Sequence, residues 1–144
     1  SHPPGRWTDG WGGYMANRSR MLASIVRNRV DNPVFWGGDI HSFWVTDVHA
    51  DGNNPDSPVV ATEFVGTSVT SDGPPFEAFS KVLPLNPHVK FFDSRQRGYV
   101  SVEVDEHQML TQLRVITDPR DPAATVSTLK SFVVASGRAG AMVV

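Results

Sequence analysis

The chain of 144 residues has no cysteine. Disulfides, thiolate nucleophiles and cysteine-based zinc sites are therefore excluded. The compartment is left open, since exported proteins can lack cysteine too. Charge is also sparse, at 19% of residues, and the formal net charge is −2. That balance does not suggest a nucleic-acid binder, which would usually show a basic face. No apolar run approaches the roughly 18 to 20 residues needed to span a bilayer. The first residues, "SHPPGRW", lack the apolar segment of a signal peptide. An export signal, where one exists, is expected upstream, and the abrupt start reads as a piece of a longer chain.

Hydrophobic residues make up 40% of the sequence, which suits a single folded domain over residues 1–144. Residues 1–13 are rich in Gly, Pro and Trp and are expected to form a lead-in loop. Met21, Leu22, Ile25, Val26 and Val30 recur at helical spacing, with Arg18, Arg20, Arg27 and Arg29 between them. That pattern predicts an amphipathic helix over 14–31 with a basic outer side, stopped by Asn32-Pro33.

Residues 33–144 read as β-rich, with six or so strands. Val34–Gly37 is short and apolar and is expected to be a buried strand. Phe43–Val48 and "VVATEFV" follow, separated by the loop "DGNNPDSP". Residues 76–87 are ambiguous and could hold a short helical turn. Val89–Phe92 is a short strand. "GYVSVEV" and "MLTQLRVIT" both alternate and flank Asp105-Glu106, which predicts an antiparallel hairpin. "TLKSFVVAS" is expected to be the last strand, ended by "GRAG".

Asp39-Ile40-His41 is the stretch that could carry chemistry. In an extended segment residues i and i+2 point the same way. Asp39 and His41 would then share one site while Ile40 faces the core. Gly37 and Gly38 let the backbone turn and a ligand approach. Carboxylate plus imidazole suits a transition metal or a mixed pair of ions. Two ligands do not complete a site, so further ligands must come from elsewhere. The competing reading is a solvated loop start.

"NPVFWGGDIHSFWVTD" resembles the last metal-binding block of the PhoD-like alkaline phosphatases, a branch of the calcineurin-like metallophosphoesterases. "TDGWGGYMANRSRML", "VVATEFVGTSVTS" and "NPHVKFFDSRQRGYVSVEVD" are similar to further family segments in the same order. The resemblance implies an α/β fold that looks α+β within this chain. It would be the C-terminal part of a sandwich of two mixed sheets flanked by helices, with strands mostly antiparallel toward the C-terminus. It implies metal-dependent hydrolysis of phosphate esters, by a monoesterase or diesterase, with iron and calcium as the expected ions. Asp39 and His41 are the implied metal ligands and catalytic residues, supported by Asp47, Trp44 or Ser42. An Asp where the wider superfamily has a His suits calcium. By the same analogy the location is periplasmic or extracellular.

The family's earlier ligand blocks are not found in residues 1–38, and Gly12 stands where the family often has an Asp. The chain thus resembles the C-terminal third of such an enzyme and is expected to lack the partner half of the sandwich. Alone it should be inactive, unless another chain or a dimer supplies that half. The alternative is a non-catalytic β-rich binding or assembly module derived from the same fold.

Other residues carry further expectations. Asp9 and Trp11 could line an active-site entrance but are read as loop-shaping. Arg18 and Arg20 are read as solvated, and Glu63, Thr67 and Ser68 as serving their own turn. His88 is read as a packed or capping residue, and His2, His49 and His107 as surface. Arg97-Gly98-Tyr99 reads as a turn entering a strand, and Trp36, Phe43 and Trp44 as core.

Overall fold

A computed structural model describes residues 10–144; Asp9 and His2 lie outside the described residues, as does most of the expected 1–13 loop. Helix α1 spans Met15–Arg27. It stops four residues short of the expected end because Arg29 and Asn32 take left-handed backbone conformations, φ 51° and 48°, which no helix continues. Asn28 closes the helix with its side-chain amide, which donates to the Ser24 carbonyl at 2.8 Å. On the inner stripe Leu22 is buried against Val48 and Ala61, a contribution of about 1.5–3 kcal/mol.

Eight strands follow rather than six or so: β1 Val34–Gly37, β2 Phe43–His49, β3 Val59–Val65, β4 Val89–Asp93, β5 Arg97–Val104, β6 Gln108–Ile116, β7 Val126–Ala135 and β8 Met142–Val143. The ambiguous stretch resolves into helix α2, Phe76–Ser80, and a 3-10 turn at Leu83–Leu85. Strand β8 was not expected, because two residues are too few to show a period. It returns after Gly140 to pair with β7, Phe132 opposite Val143.

The strands form two four-stranded sheets, in the orders β1-β3-β2-β4 and β5-β6-β7-β8. The first is mixed, because β1 runs parallel to β3; the second is antiparallel throughout. Phe43, Val45 and Phe64 from the mixed sheet meet Leu113, Val115, Phe132 and Val134 from the antiparallel one in a single core. Both sheets therefore contribute to one core within the chain. Helices α1 and α2 cover the outer face of the mixed sheet. Beneath α2, Trp44 and Phe92 lie 4.3 Å apart between ring centroids, and Phe76 stacks on Phe92 at 5.6 Å.

Strand β1 departs from its expected burial. It is an edge strand, with Trp36 48% exposed and stacked on Phe64 at 5.1 Å. Its continuous apolar run looked like a two-faced buried strand, yet one edge and its last two residues are open. Phe43 is fully buried, as expected.

Candidate functional site

The ends of β1, β3 and β4 and the start of β2 meet at one end of the mixed sheet. Gly37 lies opposite Val65, Trp44 opposite Val65, and Phe43 opposite Asp93. Asp39 and His41 stand in the connection from β1 to β2 at that end. In open sheets that carry parallel strands, ligands gather beyond the carboxyl ends of those strands.

This connection is not extended. The Ile40 N–H donates back to the Gly38 carbonyl at 2.9 Å, closing a three-residue turn with Asp39 at its centre. Asp39 has φ 73° and His41 φ 54°. A three-residue turn with a central φ near +75° is the rare, strained kind, and neither residue is a glycine that would adopt it freely. Strict alternation therefore does not place the two side chains, and Ile40 is 37% exposed instead of facing the core. Gly37 and Gly38, the second of which opens the turn, offered the sequence signal for a bend.

The surroundings of His41 differ from those expected. Its Nδ1 lies 3.0 Å from the Asp72 carbonyl oxygen. A carbonyl only accepts, so Nδ1 carries a proton, and in the neutral ring Nε2 holds the free lone pair. Asp47, Trp44 and Ser42 do not provide this contact. Asp47 lies toward the far end of β2, paired with Lys90 at 2.9 Å. Ser42 is fully buried; its hydroxyl donates to the Ile40 carbonyl and accepts from Trp44 Nε1 at 2.9 Å. Those two residues brace the base of the turn.

Asp72 belongs to a loop between β3 and α2 that is fastened from below. Arg97 Nη1 donates to Ser68 Oγ at 3.0 Å and to the Ser71 carbonyl, and Nη2 donates to the Ser94 carbonyl. Ser68 Oγ donates to the Ser71 carbonyl, and Thr67 Oγ1 to the Gln96 carbonyl. Ser68 thus serves its own turn, as expected, whereas Thr67 reaches across to the Gln96 carbonyl instead. Arg97 opens β5 and is 6% exposed, and its role escaped a sequence reading that saw only a turn. Asp93 was also missed. It is 1% exposed and holds the Arg95 backbone N–H at 2.7 Å and the Arg95 guanidinium at 3.1 Å.

The far end of the mixed sheet holds a second polar concavity. Arg18, Asp47, His49 and His88 help line a cleft of about 300 Å³. Arg18 turns in against the loop at Gly52 instead of standing solvated. Burial, with His49 and Arg18 nearby, lowers the His88 pKa. His49 is not a plain surface residue either, since its Nδ1 donates to the Ser57 carbonyl at 2.6 Å. Glu63, on β3, has its pKa raised by burial, and the Arg18 charge opposes that shift. His107 remains at the surface beside Glu106.

Asp39 offers an exposed carboxylate and His41 one free ring nitrogen, a donor pair that fits part of a metal-ion coordination set. Among the described residues no group of three or more His, Cys, Asp or Glu comes together to hold an ion. The pair fits as a contribution to a larger site, not as a site in itself.

A family model described as PhoD-like phosphatase matches residues 2–113. Alkaline phosphatase D of Bacillus subtilis (strain 168) is 36% identical over 135 residues, which is 92% of this chain and 23% of that protein. A solved structure described as "Structure of PhoD" superposes with a TM-score of 0.80 at 32% identity, covering 94% of this chain and 26% of that one. The chain thus spans about a quarter of the length of these relatives. The matched family segment, the relative and the shared fold agree: the chain belongs to the PhoD-like phosphatase family.

Proposed function

We propose that this chain supplies the last metal-ligand block of a metal-dependent phosphoesterase, with Asp39 and His41 as the ligands. The observation that carries the reading is the strained turn. A carboxylate and an imidazole occupy left-handed backbone positions at the open end of β1, and strain of about 1–3 kcal/mol per residue is kept mainly where function requires the geometry. Iron and calcium are the ions this reading expects. Asp39 would hold a metal through its carboxylate and His41 through Nε2, since Nδ1 is committed to the Asp72 carbonyl. When bound, the ions supply charge neutralisation of the phosphoryl group and an acidified water. The chain's own residues fix the ligand directions: the Gly38–Ile40 turn aims Asp39, and the Asp72 carbonyl orients the imidazole.

The remaining ligands belong to parts of the fold beyond this chain, so the chain alone is expected to be inactive. A full-length enzyme carrying it is expected to hydrolyse aryl phosphate monoesters or diesters. Location in the periplasm or outside the cell is part of the same proposal. Family membership disfavours a non-catalytic module.

The test is Asp39→Ala and His41→Ala in such a full-length enzyme, with metal content and hydrolysis measured together. Loss of residues that merely orient a ligand costs about 10–100-fold, so loss of a ligand should cost more. Full activity in both variants would remove the assignment.

A further inference from the structure

We infer that Arg97 is a positioning residue for His41, acting through the 68–73 loop to fix which ring nitrogen of His41 is free. The functional meaning rests on His41 being a ligand; the tautomer itself does not.

Three observations carry it. First, Arg97 is almost fully buried and forms no ion pair among the described residues. Its guanidinium donates only to neutral oxygens: Ser68 Oγ and the Ser71 and Ser94 carbonyls. A buried charge without a counterion is costly, so a simple packing role is a poor account of it. A planar fork, however, can tie two chain segments at fixed angles. Here it ties the loop before α2 to the connection between β4 and β5.

Second, the tied loop is the one that touches His41. The Asp72 carbonyl accepts from Nδ1 at 3.0 Å. Asp72 directly follows Ser71, whose carbonyl Arg97 holds. The Gly98 N–H adds a bond to the Ser68 carbonyl at 3.1 Å.

Third, the fit has no slack. A Cβ at Gly73 would lie 2.5 Å from the Ser94 carbonyl oxygen, 2.6 Å from the His41 carbonyl oxygen and 3.0 Å from Arg97 Nη2. The loop, the His41 backbone and the guanidinium therefore meet at one point. Displacing the loop should move the Asp72 acceptor away from Nδ1. The imidazole would then be free to place its proton on Nε2, the nitrogen a metal needs unprotonated.

The experiment is long-range 1H–15N NMR of the histidine rings in this chain, above the pH at which imidazole titrates. In the unaltered chain His41 should show its proton on Nδ1 and its unprotonated nitrogen signal at Nε2. In Arg97→Met that pattern should shift to a mixture or to the opposite tautomer. Arg97→Lys keeps the charge without the fork and should fail to restore the original pattern. Gly73→Ala displaces the same loop with Arg97 intact; it should give the same shift and serves where Arg97→Met does not fold. Retention of the Nδ1–H tautomer in folded Arg97→Met, or in folded Gly73→Ala, overturns the inference. So does an Nε2–H tautomer in the unaltered chain. None of these readouts requires catalysis, so they can fail while the phosphoesterase reading stands, and the reverse.

Discussion

The two sheets of the sandwich handle awkward backbone in opposite ways. Around the antiparallel sheet, the positive φ angles fall on glycines, Gly137 and Gly140, between β7 and β8. Around the mixed sheet they fall on Arg29, Asn32, Asp39 and His41. A glycine adopts that conformation without steric cost, whereas other residues are strained by up to roughly 1–2 kcal/mol each, least for Asn, Asp and His. The antiparallel sheet is built from long strands of 8, 9 and 10 residues plus the short β8. The mixed sheet has an open edge strand of four residues that leads directly into the strained turn. One sheet chiefly supplies the frame; the other holds side chains in places that stability alone would not choose.

The largest expected effect comes from breaking the frame. Phe132 is fully buried on β7 and reaches across to Phe64 and Phe91, with centroids at 6.2 and 5.9 Å. Phe132→Ala should lower stability by about 3–5 kcal/mol, read from the midpoint of denaturant unfolding. A change within error would mean that the two sheets do not share one core.

A smaller effect of opposite sign is expected in the strained turn. Asp39→Gly removes the steric cost at φ 73°. Against it stands the extra freedom of glycine in the unfolded chain, so the net gain should be about 0.5–1 kcal/mol. Thermal unfolding of this chain checks it. A loss of stability would place Asp39 in the frame and erase the contrast between the two sheets.

The smallest effect concerns Glu63, on the covered face of the mixed sheet. Burial raises its pKa above the ordinary value, and Arg18 offsets only part of that. A raised carboxyl pKa favours the folded state when the group is protonated. That advantage is present below the ordinary value near 4.5 and is lost as pH rises through the raised one. Glu63→Gln should therefore flatten the pH dependence and raise neutral-pH stability by no more than about 1 kcal/mol. Melting curves at acid and neutral pH would separate the variants; a gap that widened toward acid would reverse the sign.

What could be read in the sequence follows the same division. The hairpin of β5 and β6 was legible because Tyr99 to Val104 and Met109 to Ile116 alternate, and the structure pairs Val100 with Leu113 and Val102 with Thr111. Helix α1 was legible from its apolar spacing, but its end was not, since a left-handed Arg29 leaves no mark in composition. Strand β1 shows only an apolar run, which does not say whether its edge is open. Asp39 and His41 were visible as a pair through the family motif. Their turn was not, because an extended segment and a three-residue turn can contain the same residues. The acceptor for His41 is a backbone carbonyl 31 positions away, and backbone acceptors carry no residue signature. Arg97 escaped for a related reason: its partners are two carbonyls and a serine hydroxyl, brought together only by the fold.

The most direct test of the central claim, that strain is held at Asp39 because a metal is held there, is Asp39→Gly in a full-length enzyme that carries this chain. Metal content and aryl phosphate hydrolysis would be measured on the same purified sample as its thermal stability. The account predicts a metal-depleted protein with hydrolysis reduced more than about 100-fold, while the isolated chain bearing the same substitution melts higher. Full metal content and full activity in the glycine variant would contradict it.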